Sequence, residues 1–326
     1  MKKNTLILLS LILLLALTFA VSLIFGGTRI SLSELLSANQ ASGIMHTIIW
    51  KIRIPRIILS MLVGAGLAAS GAILQGILRN PLAEPYTLGI SGGAAFGATI
   101  AVVLGIGALG LPVFAFLGAL LSVSFVYLIA SKKYFSVSTL VLSGVILSFL
   151  FSAVIMLIFS VSRADKVQST LLWLMGDLSS AETGLTAIVA GFVLTGILVL
   201  LLFSREVDIL TLGEEKAAYL GVDAASALKI LFITTSLITG ACVASSGIIG
   251  FVGIIIPHFI RQLRGPKHFG LVIFSSLAGA IFLCLADTFA RTIIYPVELP
   301  VGVITGILGG LFFIVFLLKS KSWDGM

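Results

Sequence analysis

Arg53 and Arg56 stand three residues apart, so a helix would place both on one face. Pro55 between them suits the first turn of a helix, where its missing N–H costs nothing. Arginines fixed at the rim of an element suit bidentate capture of carboxylates, on a protein or on a ligand. The competing reading is contact with phosphate headgroups, or snorkelling toward water. Asp287 and Arg291 are four apart with the acid first, the favourable order for a local helix pair. From the residues alone that modest pairing is the preferred role for Arg291. His258 follows Pro257 and reads as a satisfied structural group beside a helix kink. Three scattered histidines suggest no metal cluster, and Cys242 and Cys284 lie in apolar runs, as small core residues do. The chain carries no paired intramembrane carboxylates and no HExxH, GxSxG or GxxxxGK[ST] pattern. Neither catalysis nor nucleotide hydrolysis is therefore expected of it, and no cofactor of its own.

The elements that must position these residues are membrane helices. Of 326 residues, 59% are hydrophobic and 10% charged, with mean hydropathy +1.22; a soluble domain carries about 25% charged residues. The apolar runs are continuous and about 20 residues long, which favours helices over a barrel of short alternating strands. Ten spans are expected: Thr5 to Phe25, Ile54 to Leu78, Thr87 to Leu104, Pro112 to Ala130, Thr139 to Phe159, Leu185 to Phe203, Ile230 to Ser245, Ile248 to Leu263, Phe269 to Ala286 and Val301 to Leu318. The first is longer than a signal-peptide core of about 7–15 residues. With these limits the mid-spans hold no acids, which weighs against a proton- or sodium-coupled carrier. The expected fold class is all-α, a polytopic membrane protein forming a single transmembrane domain over residues 1–326.

Three small-residue ridges recur at four-residue spacing: Gly64, Ala68, Ala72 and Gly76; Gly89, Gly93 and Gly97; and Gly302, Gly306 and Gly310. Such ridges let neighbouring helices approach closely in lipid. Between spans, Ser31 to Leu36 could form a capped surface helix, and Trp173 in LLWLMGDLSSAE suits an interfacial element. The longest charged connection, Ser204 to Lys229, contains EEKAAYL bracketed by Gly213 and Gly221. It is either a knob for another protein or a helix lying on the bilayer.

Thirteen of the twenty Lys and Arg fall on the side of the two termini and of the Ser204–Lys229 connection. The positive-inside rule places that side in the cytoplasm, and this placement of basic residues argues against nucleic acid as the partner. Residues 64–81 echo residues 240–257 at a constant offset, matching Gly, Ala, Ser, Ile and Pro positions. An inverted repeat, as in many transporters, and shared Gly/Ala/Ser composition both account for it.

Several stretches together resemble the FecCD-type permeases of type II ABC importers, which move iron chelates and cobalamin. They are RIPR with GAGLAASGAILQGILRNPLAEPYTLGISGGAAFGA, then LLWLMGDLS, LGEEKAAYLGVD, GIIGFVGIIIPHFIR and ADTFAR…ELPVGVITGILGGLFFI. The resemblance implies that Arg53, Arg56 and Arg291 meet glutamates on the two lobes of an extracytoplasmic substrate-binding protein. It implies that Asn80 and Leu82, with Ser138 and Thr139, belong to a cytoplasmic gate. It assigns Leu212, Gly213, Glu214, Glu215, Ala217, Ala218, Leu220 and Gly221 to helices that couple to an ATPase. It further implies a second copy of the chain, two separate ATPase subunits that bind ATP and Mg, and a bacterial or archaeal cytoplasmic membrane. The cargo expected first is an iron chelate, a ferric siderophore, with haem and cobalamin as the alternatives.

Overall fold

The computed structural model describes residues 2–26, 44–107, 110–132, 135–294 and 296–319. The surface helix expected at Ser31 to Leu36 lies outside them. The helices are α1 (Lys2–Ile24), α2 (Ile54–Ile77), α3 (Ile90–Val103), α4 (Gly110–Ser131), α5 (Val137–Val161), α6 (Ala164–Leu174), α7 (Thr183–Leu202), α8 (Ser204–Leu210), α9 (Glu214–Tyr219), α10 (Ala224–Ser246), α11 (Val252–Arg264), α12 (His268–Thr292) and α13 (Val301–Lys319). A short turn of helix, Ile44–Thr47, and a π-helical segment, Ile48–Arg53, run directly into α2. No strand occurs among the described residues.

The bundle is built around α2. Among the described residues, seven helical segments are long and apolar enough to cross a membrane, and 78% of the apolar stretch that contains α2 is buried, against 11% for α1 and 28% for α5 and α7. α2 packs against α7, α10, α11 and α12. The outer helices leave Leu13, Phe149, Ile188 and similar side chains exposed, an apolar perimeter of the kind lipid covers. The chain is a multi-pass membrane protein.

Close approach at small residues explains how α2 is surrounded on so many sides. A Cβ on Gly64 would lie 2.2 Å from the Gly279 carbonyl oxygen of α12, and one on Gly279 would lie 2.3 Å from that of Gly64. Gly71 meets the Gly253 carbonyl of α11 at 2.0 Å in the same sense. Ala68 and Ala72 are fully buried between these contacts, and Gly76 lies under the His268 ring. In the second ridge, Gly93 and Gly97 abut Gly118 and Phe114 of α4, while Gly89 faces Gly144 of α5. The third ridge differs from its expected form. Gly302 packs on Met175 and Ile248, but Gly306 and Gly310 have no neighbour within 4 Å among the described residues. The packed partner of Gly302 on α13 is Gly309, against the Phe251 ring. A seven-residue spacing, two helical turns, holds α13 in place.

Two expected spans are shorter than the hydropathy suggested. α3 has 14 residues and α11 has 13, about 20 Å each at 1.5 Å per residue, short of the roughly 30 Å hydrocarbon core. The missing length is the 3₁₀ turn Pro85–Leu88 before α3 and the non-helical stretch 247–251 before α11. That break also bears on the internal echo. Residues 64–77 belong to one unbroken helix, whereas their counterparts straddle the end of α10 and the start of α11, so the two stretches are not equivalent elements. Cys242 and Cys284 are buried free thiols.

Candidate docking cluster, gate and coupling helix

The N-terminal end of α2 carries the arginines, and all three expected rim cations are buried. Arg53 is 4% exposed, Arg56 7% and Arg291 4%. Arg53 Nη1 donates to the Leu23 and Ile24 carbonyls at 2.6 and 3.2 Å, where a cation meets the negative end of α1. Arg56 spans two carboxylates. Its Nη2 donates to Asp287 Oδ1 at 2.9 Å, its Nε is shared between both Asp287 oxygens at 3.2 Å, and its Nη1 donates to Glu298 Oε2 at 2.7 Å. Arg291 Nε lies 3.0 Å from Asp287 Oδ2, an ion pair outside hydrogen-bond alignment, and its Nη2 donates to Thr288 at 3.3 Å.

Two expectations change here. Asp287 and Arg291 do form the i,i+4 pair, but the pair is buried and shared with Arg56, so the small value of an exposed helix pair does not apply. And a described span does hold an acid: α12 continues past Ala286 to Thr292, and Asp287 is 1% exposed inside it. The cluster comprises Arg53, Arg56, Arg291, Asp287 and Glu298, with Asp287 shared by Arg56 and Arg291. Only Glu298 of these five groups is substantially exposed, at 41% of its side chain.

The opposite end of α2 closes in a Schellman arrangement. Arg79 takes the left-handed position (φ 49°), Asn80 N donates to the Gln75 carbonyl and Arg79 N to that of Gly76. Asn80 Oδ1 then accepts from Leu82 N at 2.9 Å, an Asx turn that starts the Pro81 loop and leaves Leu82 exposed. Thr139 is occupied at the start of α5, where Ser136 caps the helix and its hydroxyl lies 2.8 Å from Thr139 Oγ1; Ser138 is exposed.

Sequence reasoning passed over the groups that hold this loop. Glu84 Oε1 accepts from Phe251 N at 2.6 Å, and the Tyr86 hydroxyl donates to the Ile249 carbonyl at 2.9 Å while accepting from Ile249 N at 3.2 Å. The loop after α2 is thereby latched onto the backbone break before α11, satisfying groups that the lost helix leaves open. An acid and a tyrosine in an otherwise apolar Pro-bracketed loop were the available signal.

Burial raises the Glu84 carboxyl from 4.5 to about 7, and the hydrogen bond from Phe251 only partly offsets this. A carboxyl raised on folding gives its full contribution below its unfolded value and loses it as pH climbs through the folded value. The protein is therefore expected to lose thermal stability between pH 5 and 8 in detergent. Glu84→Gln keeps an acceptor for Phe251 N without the charge, and should flatten that slope; an unchanged slope would assign it to other groups.

The expected coupling element lies beside the same end of α2. Gly213 (φ 111°) approaches Arg79, and Gly221 (φ 80°) closes the far side of α9. Leu210 and Ala217 are buried against the bundle, whereas Glu214, Glu215 and Ala218 face outward. Leu212 and Leu220 are exposed, and Tyr219, which the sequence reading did not single out, is 91% exposed. His258 lies 2.9 Å from the Gln262 side chain, in line with the structural role expected of it.

Residues 13–319 match the FecCD transport family. The chain belongs to that family. It is 36% identical to the Fe(3+)-citrate import system permease YfmE of Bacillus subtilis, over 98% of this chain and 97% of that one. It is 40% identical to the cobalamin import system permease BtuC of Halobacterium salinarum, over 94% and 83%. A solved structure described as an inward-facing metal-chelate type ABC transporter superposes with a TM-score of 0.88 at 35% identity, covering 96% of this chain and 99% of that one.

Proposed function

We propose that this FecCD-family chain is the membrane-spanning permease subunit of an ATP-binding cassette importer, carrying a ferric siderophore inward across the cytoplasmic membrane by alternating access. The observation that carries the reading is the position of two partner-facing features at opposite ends of one buried helix. The N-terminal end of α2 holds the arginine cluster, and its C-terminal end holds Arg79 against Gly213 beside the exposed Leu212, Tyr219 and Leu220. At 24 residues α2 is about 36 Å long, enough to link the two membrane faces rigidly. On this reading both termini and α9 are cytoplasmic, and two ATPase subunits bind ATP and Mg and seat on α9 of two copies of this chain. An extracytoplasmic binding protein delivers cargo at the arginine end.

The geometry refines the docking step. Arg56 is held in the isolated chain by Glu298, the exposed member of the cluster. A carboxylate on the binding protein would compete with Glu298 for the same guanidinium, so docking exchanges one ion pair for another. Because relatives of similar identity carry different cargoes, haem and cobalamin stand as the alternatives. A secondary carrier, the reading from another class, would use a titrating intramembrane acid. Asp287, the acid found in such a span, is engaged on both oxygens by Arg56 and Arg291 and so stands as a structural ion-pair partner.

Replacing Glu214 to Leu220 with a Gly/Ser linker is expected to abolish co-purification of an ATPase from gently solubilised membranes, while the chain itself still folds. Retained association would place the coupling surface elsewhere. An uptake panel of ferric siderophores, haem and cobalamin then reads the cargo.

A further inference from the structure

A cavity of about 470 Å³ opens where the end of α2 meets α8, α11 and α12. Its wall brings together Arg79, Arg261 and Lys267, with Asp208, Gln75 and His268. Each is fixed by the fold. Arg79 is the left-handed cap of α2, Arg261 lies in the last turn of α11, and Lys267 immediately precedes α12. The single carboxylate is already committed: Asp208 Oδ1 accepts from the His268 backbone N at 2.9 Å and lies 2.6 Å from His268 Nδ1. Three cations against one carboxylate leave the cavity positive.

Two buried polar atoms in that wall are without partners among the described residues, Gln75 Oε1 and His268 Nε2. Gln75 is 4% exposed and His268 3%. Neither can easily turn away. The Gln75 amide is oriented by its Nε2, which donates to the Gly253 and Ile254 carbonyls at 3.3 and 3.2 Å. The imidazole is oriented by Asp208, and Nε2 lies over Gly76, which has no side chain to cover it. Buried polar groups left open this way destabilise the fold unless something binds them.

We propose that this cavity is a binding site for a phosphate group. Phosphate supplies the negative charge that Arg79, Arg261 and Lys267 call for, and a phosphate hydroxyl, or a hydroxyl attached nearby, can donate to Gln75 Oε1. The group can come from an anionic lipid headgroup or from phosphate in solution. The site stands apart from the arginine cluster at the other end of α2, and the argument does not depend on the importer reading.

The test uses the full-length chain in phosphatidylcholine nanodiscs, following thermal unfolding. One arm titrates inorganic phosphate at constant ionic strength; the other replaces part of the lipid with phosphatidylglycerol. Ligand that binds only the folded state raises the midpoint. Arg261→Gln with Lys267→Gln is expected to weaken the response about tenfold or more, as loss of charge-assisted hydrogen bonds does. Lys267→Gln alone, at an exposed position, serves if the double variant fails to fold, and should weaken it several-fold. A response to phosphate only identifies the free anion, a response to phosphatidylglycerol only identifies the headgroup, and a response to both supports the shared chemistry. No response in either arm, or one that the variants leave unchanged, overturns the site.

Discussion

Asp287→Ala is expected to destabilise the protein by about 3–5 kcal/mol, the range for breaking a buried ion pair from one side. The effect is large because Asp287 serves two buried arginines at once. Among the described residues, its loss leaves Arg291 with a long bond to Thr288 and Arg56 with the half-exposed Glu298. Two guanidinium groups would then be buried against each other and near Arg53. Glu298→Gln, by contrast, removes a partner that water can replace, and should cost far less. The comparison is made by thermal or denaturant unfolding in one detergent. A triple variant, Arg56→Met with Asp287→Leu and Arg291→Leu, should regain much of the loss, since an apolar core often replaces buried ions without penalty. If Asp287→Ala unfolds no more easily than Glu298→Gln, the cluster is not the keystone described here.

This cluster also shows where sequence reading stops. The basic residues Arg53, Arg56 and Arg291 were legible as one outer group because of spacing and of motifs that resemble a family. Their burial was not legible. The hydropathy reading ended the ninth span at Ala286, just before the charged Asp287. The helix in fact runs on to Thr292, because Asp287 pairs with both Arg56 and Arg291, and Glu298 pairs with Arg56, so these charges can stay inside. Pairing partners 231 residues apart leave no local trace.

The same limit applies to the helix breaks. Gly, Ser and Pro cluster around residues 245–257 and 81–89, where the backbone is irregular. What the pattern could not supply was the reason the breaks are tolerated: Glu84 and Tyr86 from one satisfy Phe251 and Ile249 in the other. The small-residue ridges were readable where the ridge faces another helix of the same chain, as with Gly64. On α13 the four-residue pattern named Gly306 and Gly310, while the contact with Phe251 falls on Gly309. A glycine-rich helix offers several ridges, and only its neighbour selects one.

The ridge on α2 yields the second large effect. Gly71→Leu is expected to abolish the folded bundle, and even Gly71→Ala should cost at the upper end of the roughly 1–3 kcal/mol of overpacking, or more. A Cβ there would lie 2.0 Å from the Gly253 oxygen and 2.6 Å from its carbonyl carbon, so backbone and not a flexible side chain would have to move. α11 cannot retreat freely. Gln75, one turn further along α2, is bonded to the Gly253 and Ile254 carbonyls, and Pro85 packs close to Gly253. Moving α11 would also pull Phe251 from Glu84, opening the latch on the loop after α2. Gly191→Ala on α7 is the control, a helix glycine with nothing within 4 Å among the described residues. There the added methyl meets open space and favours the helix by up to about 1 kcal/mol. Opposite signs at two glycines would tie the cost to the α2–α11 contact, whereas equal effects would trace it to helix propensity alone.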